Sequence, residues 1–205
     1  MSDQSHLPPA AVIITHDVSD WATWKAEFDR HEGARKAAGF LGHHINRGLD
    51  NPNRISVYLA ASDVSKAKAF SASPDLKQVM QAAGVIGAPS ATWVKPVAEH
   101  IIWDRELPAM ILSHTVANFD AWLVGYKAAA PVQAQGGIIG HAANQSLDDP
   151  SVAVVYHQAE SHDTLKAFVA HPALKDAMQK AGVTKDEAAQ MKAKLEEQGA
   201  VIEIK

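Results

Sequence analysis

Four pairs of polar side chains, the members of each pair 98 positions apart, are the residues of this sequence best suited to chemistry. They are His16 and His114, His43 and His141, Asn46 and Asn144, and Tyr58 and Tyr156. An imidazole titrates near neutral pH and either gives or takes a proton, while a phenol or carboxamide beside it orients a small polar ligand. His43, His16 and Tyr58 are therefore the expected catalytic residues, with His43 or His16 as base and Tyr58 as hydrogen-bond partner. His141, His114, Tyr156, Asn46 and Asn144 are expected to bind ligand. The competing explanation is that all eight are core polar groups, alike because two copies of one domain meet the same packing problem.

Metal chemistry has less support. No two histidines stand four apart on one helix with a carboxylate nearby, and the adjacent His43 and His44 must point to opposite faces of a strand. No metal site and no cofactor, haem included, is expected. Trp21, Trp24 and Phe28, repeated as Phe119, Trp122 and Tyr126, have the spacing of any helix packed on a sheet, so core packing explains them before an aromatic ligand box does. Asp50-Asn51-Pro52 and Asp148-Asp149-Pro150 are turn formers, not paired catalytic carboxylates.

The offset of 98 extends far beyond these residues. Between Ala11 and Val85 it also matches Trp24 to Trp122, Gly39 to Gly137, Gly42 to Gly140, Pro52 to Pro150, Phe70 to Phe168, Pro74 to Pro172 and Gly84 to Gly182, without a gap. Identity at one fixed period is the mark of an internal duplication. The chain is two copies of a small domain, at 10–97 and 109–205, joined by a linker at 98–108. With 47% apolar and 20% charged residues the composition is that of a globular protein, and a net charge of −4 offers nothing to nucleic acid or an anionic membrane. No apolar run approaches the ~20 residues that cross a bilayer. The absence of cysteine removes disulfides and thiolates, and the polar start MSDQSHLPPA lacks the pattern of a secretion signal. A cytoplasmic location is expected.

Each copy has the same order of elements. Ala11–Val18 is short, β-branched and apolar on both faces, as a doubly covered strand requires. A helix follows Asp20, or Asn118 in the second copy, and breaks where Gly33 aligns with Pro131. Phe40–Gly48 and Arg54–Ala61 form a hairpin across Leu49–Asn53. A second helix, interrupted before Pro74, stops at Gly84, and Ala91–Val97 is the last strand. The order β-α-β-β-α-β is that of a ferredoxin-like α+β unit, with one sheet face bare until a second unit covers it. The second copy inserts a charged, alanine-rich helix at 184–198 before a last strand at 200–204.

Side-chain alternation places Ile55, Val57 and Leu59 under the helices and Ser56 and Tyr58 on the opposite face. If Gly42 and Gly140 lie where a helix approaches closely, His43 and His141 point into the interior; the direction of His16 is ambiguous. The first helix of copy one carries Lys25, Glu27, Asp29, Arg30, Glu32, Arg35 and Lys36, a solvated face. The matching stretch 123–135 is nearly free of charge, so it either contacts another subunit or lies under the inserted helix.

The pattern resembles the dimeric α+β-barrel superfamily, which includes antibiotic-biosynthesis monooxygenases, stress-responsive barrel proteins and muconolactone-isomerase-like enzymes. Here the usual homodimer is fused in tandem, two units packed sheet to sheet. The resemblance implies a ligand held between sheet and helices or inside the barrel. It carries no catalytic set across, because the Asn/Trp/His patterns of haem-degrading and quinone-forming relatives have no equivalent at matching elements. The expected function is the binding of a small hydrophobic or aromatic molecule. The alternatives are a cofactor-independent monooxygenase or isomerase acting on an aromatic or polyketide-like substrate, and a non-catalytic assembly module that self-associates through residues 123–135.

Overall fold

The computed structural model describes residues 7–102, 107–180 and 202–204. Asp20, Asp63 and Ser73 each accept a hydrogen bond from the backbone N–H three residues ahead, and so start α1 (Trp21–Arg30), α3 (Val64–Ser71) and α4 (Pro74–Ala82). Asn118 and Ser161 do the same for α5 (Phe119–Ala128) and α7 (His162–Ala170), satisfying one of the orphan donors of a first turn. The interruptions fall as expected. α1 gives way at His31 to α2 (Glu32–Ala37), and α5 at Ala129 to α6 (Ala130–Gln135). Pro74, Pro131 and Pro172 all stand at the start of a helix (α4, α6 and α8, Pro172–Lys180), where a missing N–H breaks no bond. Gly39 and Gly137 turn the chain from α2 and α6 into the next strand with φ of +86° and +79°, a conformation that explains their occurrence in both copies.

The strands are β1 (Ala10–Val18), β2 (Phe40–Gly48), β3 (Arg54–Ala61), β4 (Val85–His100), β5 (Ala109–Thr115), β6 (Ile138–Ser146), β7 (Val152–Ala159) and β8 (Ile202–Ile204). They close one antiparallel barrel in the order β1-β3-β2-β8-β5-β7-β6-β4. Each copy's last strand joins the copies. β4 pairs with β1 through Val85–Val94 and with β6 through Val94–His100, and β8 pairs with both β5 and β2. β4 is thus longer than the alternation at 91–97 indicates, and residues 98–100, expected in the linker, continue the strand because β6 offers them an edge to pair with. The helix expected at 184–198 lies outside the described residues.

Helices pack on the outer face of the sheet. In the first copy Val12, Ile55, Val57 and Leu59 meet Trp24, Phe40 and Ala67; in the second Val155 meets Trp122 and Tyr126, while Leu165 and Phe168 close over Met110 and Ile138. The inner face buries Ala11, Val94 and Val154 between the two sheets, with Ile13, Tyr58 and Ile111 around them. Burial within the chain does not account for the charge lost from 123–135: Tyr126 aligns with the uncharged Phe28, Gln133 replaces an Arg35 that is equally buried, and Val124 is 71% exposed.

The direction of His43 and His141 is a correction. Bulges between Phe40 and Gly42, and between Ile138 and Gly140, shift the alternation by one, so Phe40, His43 and Ile45 share the helix side and His44 and Asn46 face inward. Nor do the glycines mark a close helix. A Cβ on Gly140 would meet the Gln158 side chain at 2.0 Å, and one on Gly42 would meet nothing within 4 Å. Gln158, fully buried, accepts from the Ile102 N–H at 2.9 Å and donates to the Ile102 carbonyl at 3.2 Å, holding the chain just beyond β4. Gln158→Leu leaves both backbone groups unpaired and is expected to lower stability by about 2 kcal/mol in urea denaturation; an unchanged midpoint would show that this bridge is not needed.

Candidate functional site

Three cavities are candidates: one inside the barrel between the sheets, and one between sheet and helices in each copy. The inner cavity, with a free volume of about 50 Å³, is lined by Asn46 and Asn144, Tyr58 and Tyr156, Ile13 and Ile111 as pseudo-symmetric pairs. The symmetry fails at His44 and Ser56, which align with Ala142 and Val154 of the second copy, and at Glu99. His44 Nε2 lies 3.4 Å from the Tyr156 hydroxyl, and burial pulls its pKa down to about 4. Burial pushes Glu99 and both tyrosines upward, so the interior disfavours charge throughout. Asn144 donates to the Val154 carbonyl at 3.2 Å.

The first copy's sheet–helix pocket is larger, with a free volume of about 80 Å³, against about 50 Å³ for its counterpart. Its walls include Trp24, Phe28, Phe40 and Phe70, and its polar groups are His16, His31, Arg35 and Ser71. β1 delivers His16 under α1, where its ring lies 5.6 Å from Trp24. Both ring nitrogens are buried without a hydrogen-bond partner among the described residues. Burial lowers the pKa of His16 more than the nearby Asp17 raises it, so the imidazole is neutral at pH 7. Arg35, 6% exposed on α2, donates through Nη1 to the Phe28 carbonyl and stacks 3.6 Å above the Phe28 ring.

The second copy keeps the plan and changes the chemistry. His114 lies 5.4 Å from Trp122, matching His16 on Trp24. Gln133 occupies the place of Arg35 and hydrogen-bonds Tyr126, which stands where the first copy has Phe28. His157 occupies the place of Leu59. It is buried with its ring 5.4 Å from Phe168, and neither nitrogen has a hydrogen-bond partner among the described residues.

The eight sequence candidates therefore separate into three places. Tyr58, Tyr156, Asn46 and Asn144 come together inside the barrel, and His16 and His114 in the two helix-covered pockets. His43 joins neither group: it is exposed beside α1, edge-on to Phe28 at 4.9 Å. His141 is also on the helix side, 5.9 Å from the His100 ring and 3.4 Å from the Tyr126 hydroxyl. The expected trio of His43, His16 and Tyr58 is thus not a constellation: the sheet separates Tyr58 from both histidines, and His43 lies outside the pocket that His16 lines.

Sequence reasoning missed Arg35, His44, Glu99 and His157. The charge pattern places Arg35 on a solvated face, yet a short second helix folds it back over Phe28. The usable signal was divergence: Arg35 against Gln133 and Leu59 against His157 are changes of chemical type at inward positions. Among the described residues, no group of three or more histidines and carboxylates is placed to hold a metal ion. No helix there is long and apolar enough to cross a membrane.

No family model matches the sequence, and no curated protein does. Solved structures do. The chain is similar to a protein of Lactobacillus acidophilus NCFM provisionally named a monooxygenase, with 12% identity, a TM-score of 0.58, and coverage of 87% of this chain and 90% of that one. It is similar to an anthrone oxidase-like protein at 13% identity and a TM-score of 0.61, over 85% and 86% of the two chains. A Fusobacterium nucleatum protein, also provisionally a monooxygenase, gives 11% identity and 0.58 over 89% and 88%. These likenesses are to whole chains of comparable length, and identity this low speaks for fold alone. The chain has the dimeric α+β-barrel fold, with both halves of the barrel carried on one polypeptide.

Proposed function

We propose that the protein binds a small molecule in the sheet–helix pocket of its first copy, with His16 as the polar contact. One observation carries this reading: both ring nitrogens of His16 are buried on an aromatic-walled pocket and have no hydrogen-bond partner among the described residues. A neutral imidazole has one N–H to donate and one lone pair to fill, and leaving such groups unmade inside a fold is unfavourable by about 1–3 kcal/mol. A ligand hydroxyl or carbonyl supplies what the protein withholds. Tyr58, Tyr156, Asn46 and Asn144 would form a separate polar lining inside the barrel, and His114 the counterpart of His16.

Calorimetric titration with 2-naphthol tests the reading. Wild-type protein is expected to bind it, and His16→Leu to bind about tenfold more weakly, the worth of one hydrogen bond, with a melting temperature no lower than wild type. No heat in wild type, or equal affinity in the variant, would remove His16 from the role.

A second reading is supported by the same neutral imidazole. His16 is in the protonation state that accepts a proton from an acidic C–H, and the carbanion so formed either reprotonates elsewhere, an isomerisation, or is oxidised by O₂ without a cofactor, one oxygen atom ending on that carbon as a carbonyl and the other in water. That the similar structures include an anthrone oxidase-like protein makes anthrone the probe of choice. Oxygen uptake with anthrone, lost in His16→Leu, is the expected sign of catalysis; binding without uptake or isomerisation leaves a binding protein.

A further inference from the structure

We infer that the first copy's pocket selects an organic carboxylate, that Arg35 is its anchor, and that the second copy's pocket has lost this specificity. The inference rests on the binding reading above and adds the class of ligand.

Arg35 is a buried cation with no directly bonded carboxylate among the described residues. Nη1 is used on the Phe28 carbonyl, while Nη2 is buried and has no hydrogen-bond partner among the described residues. The acidic groups that act on Arg35 are Glu32 and Asp29. Both already have partners, Asp29 with Lys25 at 2.5 Å and Glu32 with Lys36 at 2.7 Å. One carbonyl and one ring face leave a buried guanidinium short of the partners that water gave it, which is unfavourable. The guanidinium is permanently charged and presents its N–H groups in a fork that fits a carboxylate in two parallel bonds. Phe28 holds that fork flat, and the pocket wall continues as Trp24, Phe40 and Phe70.

The pocket's size indicates what it encloses. A free volume of about 80 Å³ is below the ~150 Å³ that surrounds a whole benzene ring in an apolar cavity. The buried part is therefore the acid-bearing head of a planar molecule, with the remainder in the mouth.

The second copy serves as an internal control. Arg35, Asp29, Glu32, Lys25 and Lys36 align with Gln133, Lys127, Ala130, Leu123 and Ala134, so the whole charge arrangement is absent. Gln133 is uncharged and satisfied by Tyr126. That pocket offers neutral hydrogen bonds from His157 and the Gln133–Tyr126 pair, and nothing that favours an anion.

Benzoate and benzamide, nearly equal in shape and different in charge, separate the possibilities by calorimetry on the full chain. Wild type is expected to bind one benzoate per chain, at least tenfold more tightly than benzamide. Arg35→Gln, which copies the second pocket, is expected to abolish that preference. Gln133→Arg is expected to add a weaker second benzoate site. Equal affinities in wild type, two benzoate sites in wild type, or a preference that survives Arg35→Gln would each overturn the inference. The wild-type comparison needs no variant, so a poorly folded Arg35→Gln does not shelter it. If benzamide binds in a His16-dependent way and benzoate shows no advantage, the binding reading stands and this inference falls; if neither probe binds, both fall.

Discussion

Phe168→Ala is expected to lower stability by about 3–5 kcal/mol, the range for deleting a fully buried aromatic ring. Phe168 is 1% exposed and closes the second copy's core over Leu165, Ile138 and Met110, with its edge on His157. Its neighbour across the helix junction is Gly136, where a Cβ would meet the ring at 2.4 Å, so the ring fills its space completely on that side. A domain of this size has ~5–15 kcal/mol in all, which makes the loss a large share of the total. The same substitution at Phe70 is expected to have a smaller effect, because that ring is only half-buried and borders the roomier pocket. Urea unfolding of both variants with an unchanged slope measures the difference. Equal shifts for Phe70→Ala and Phe168→Ala would show that the two copies have equivalent cores.

The second large effect is sensitivity to acid, and it is concentrated at His157. Burial pulls this imidazole to about 3 in the folded protein, the nearby His141 and His114 adding to the effect, against 6.5 when unfolded. Above pH 6.5 the group is neutral in both states and the difference is silent. As pH falls below 6.5 the unfolded chain takes up a proton that the folded one refuses, so stability declines, and the decline stops only near pH 3. By pH 5 the loss from this residue is about 2 kcal/mol. The first copy shows the remedy, for it has Leu59 at the matching place. His157→Leu is expected to be no less stable than wild type at pH 7, since it replaces an imidazole lacking hydrogen bonds with hydrocarbon. Between pH 7 and 5 it should retain about 2 kcal/mol that wild type loses. Other titrating groups, His44 among them, act in both proteins and cancel in the comparison. Parallel stability curves for the two proteins would mean that His157 accepts a proton in the fold, and that water or a ligand reaches it.

These two expectations point to the same property of the duplication. The copies share a scaffold, and their pockets have moved apart in chemical type: a guanidinium against an amide at 35 and 133, and a leucine against an imidazole at 59 and 157. Residues held identical between the copies are mostly those the scaffold itself requires. Gly39 and Gly137 turn the chain, Pro74 and Pro172 start helices, and Trp24 and Trp122 pack on the sheet. The exceptions with chemical capacity are His16 and His114, each against its tryptophan on a cavity wall, and the Tyr58/Tyr156 and Asn46/Asn144 pairs that line the inner cavity. Identity between the copies therefore indicated the fold more reliably than the site.

By itself the sequence determined the duplication, the order β-α-β-β-α-β, the helix interruptions at the prolines, and the need for one sheet to cover the other. All of these follow from local chemistry repeated at one offset: caps, turn formers and hydrophobic periodicity act over a few residues and are read directly from them. The placement of Tyr58 on the inner face was legible for the same reason, since β3 runs without a bulge between Ile55 and Leu59. Tertiary structure decided the rest. One extra residue in β2 and one in β6 reversed the direction of His43 and His141 and put His44 inside, because alternation has a period of two and a single insertion inverts every later side chain. A break at His31 folded α2 back and buried Arg35, which the charge pattern alone places in water. Strand direction and burial are properties of what lies opposite, and the opposing sheet and helix come from parts of the chain tens of residues away.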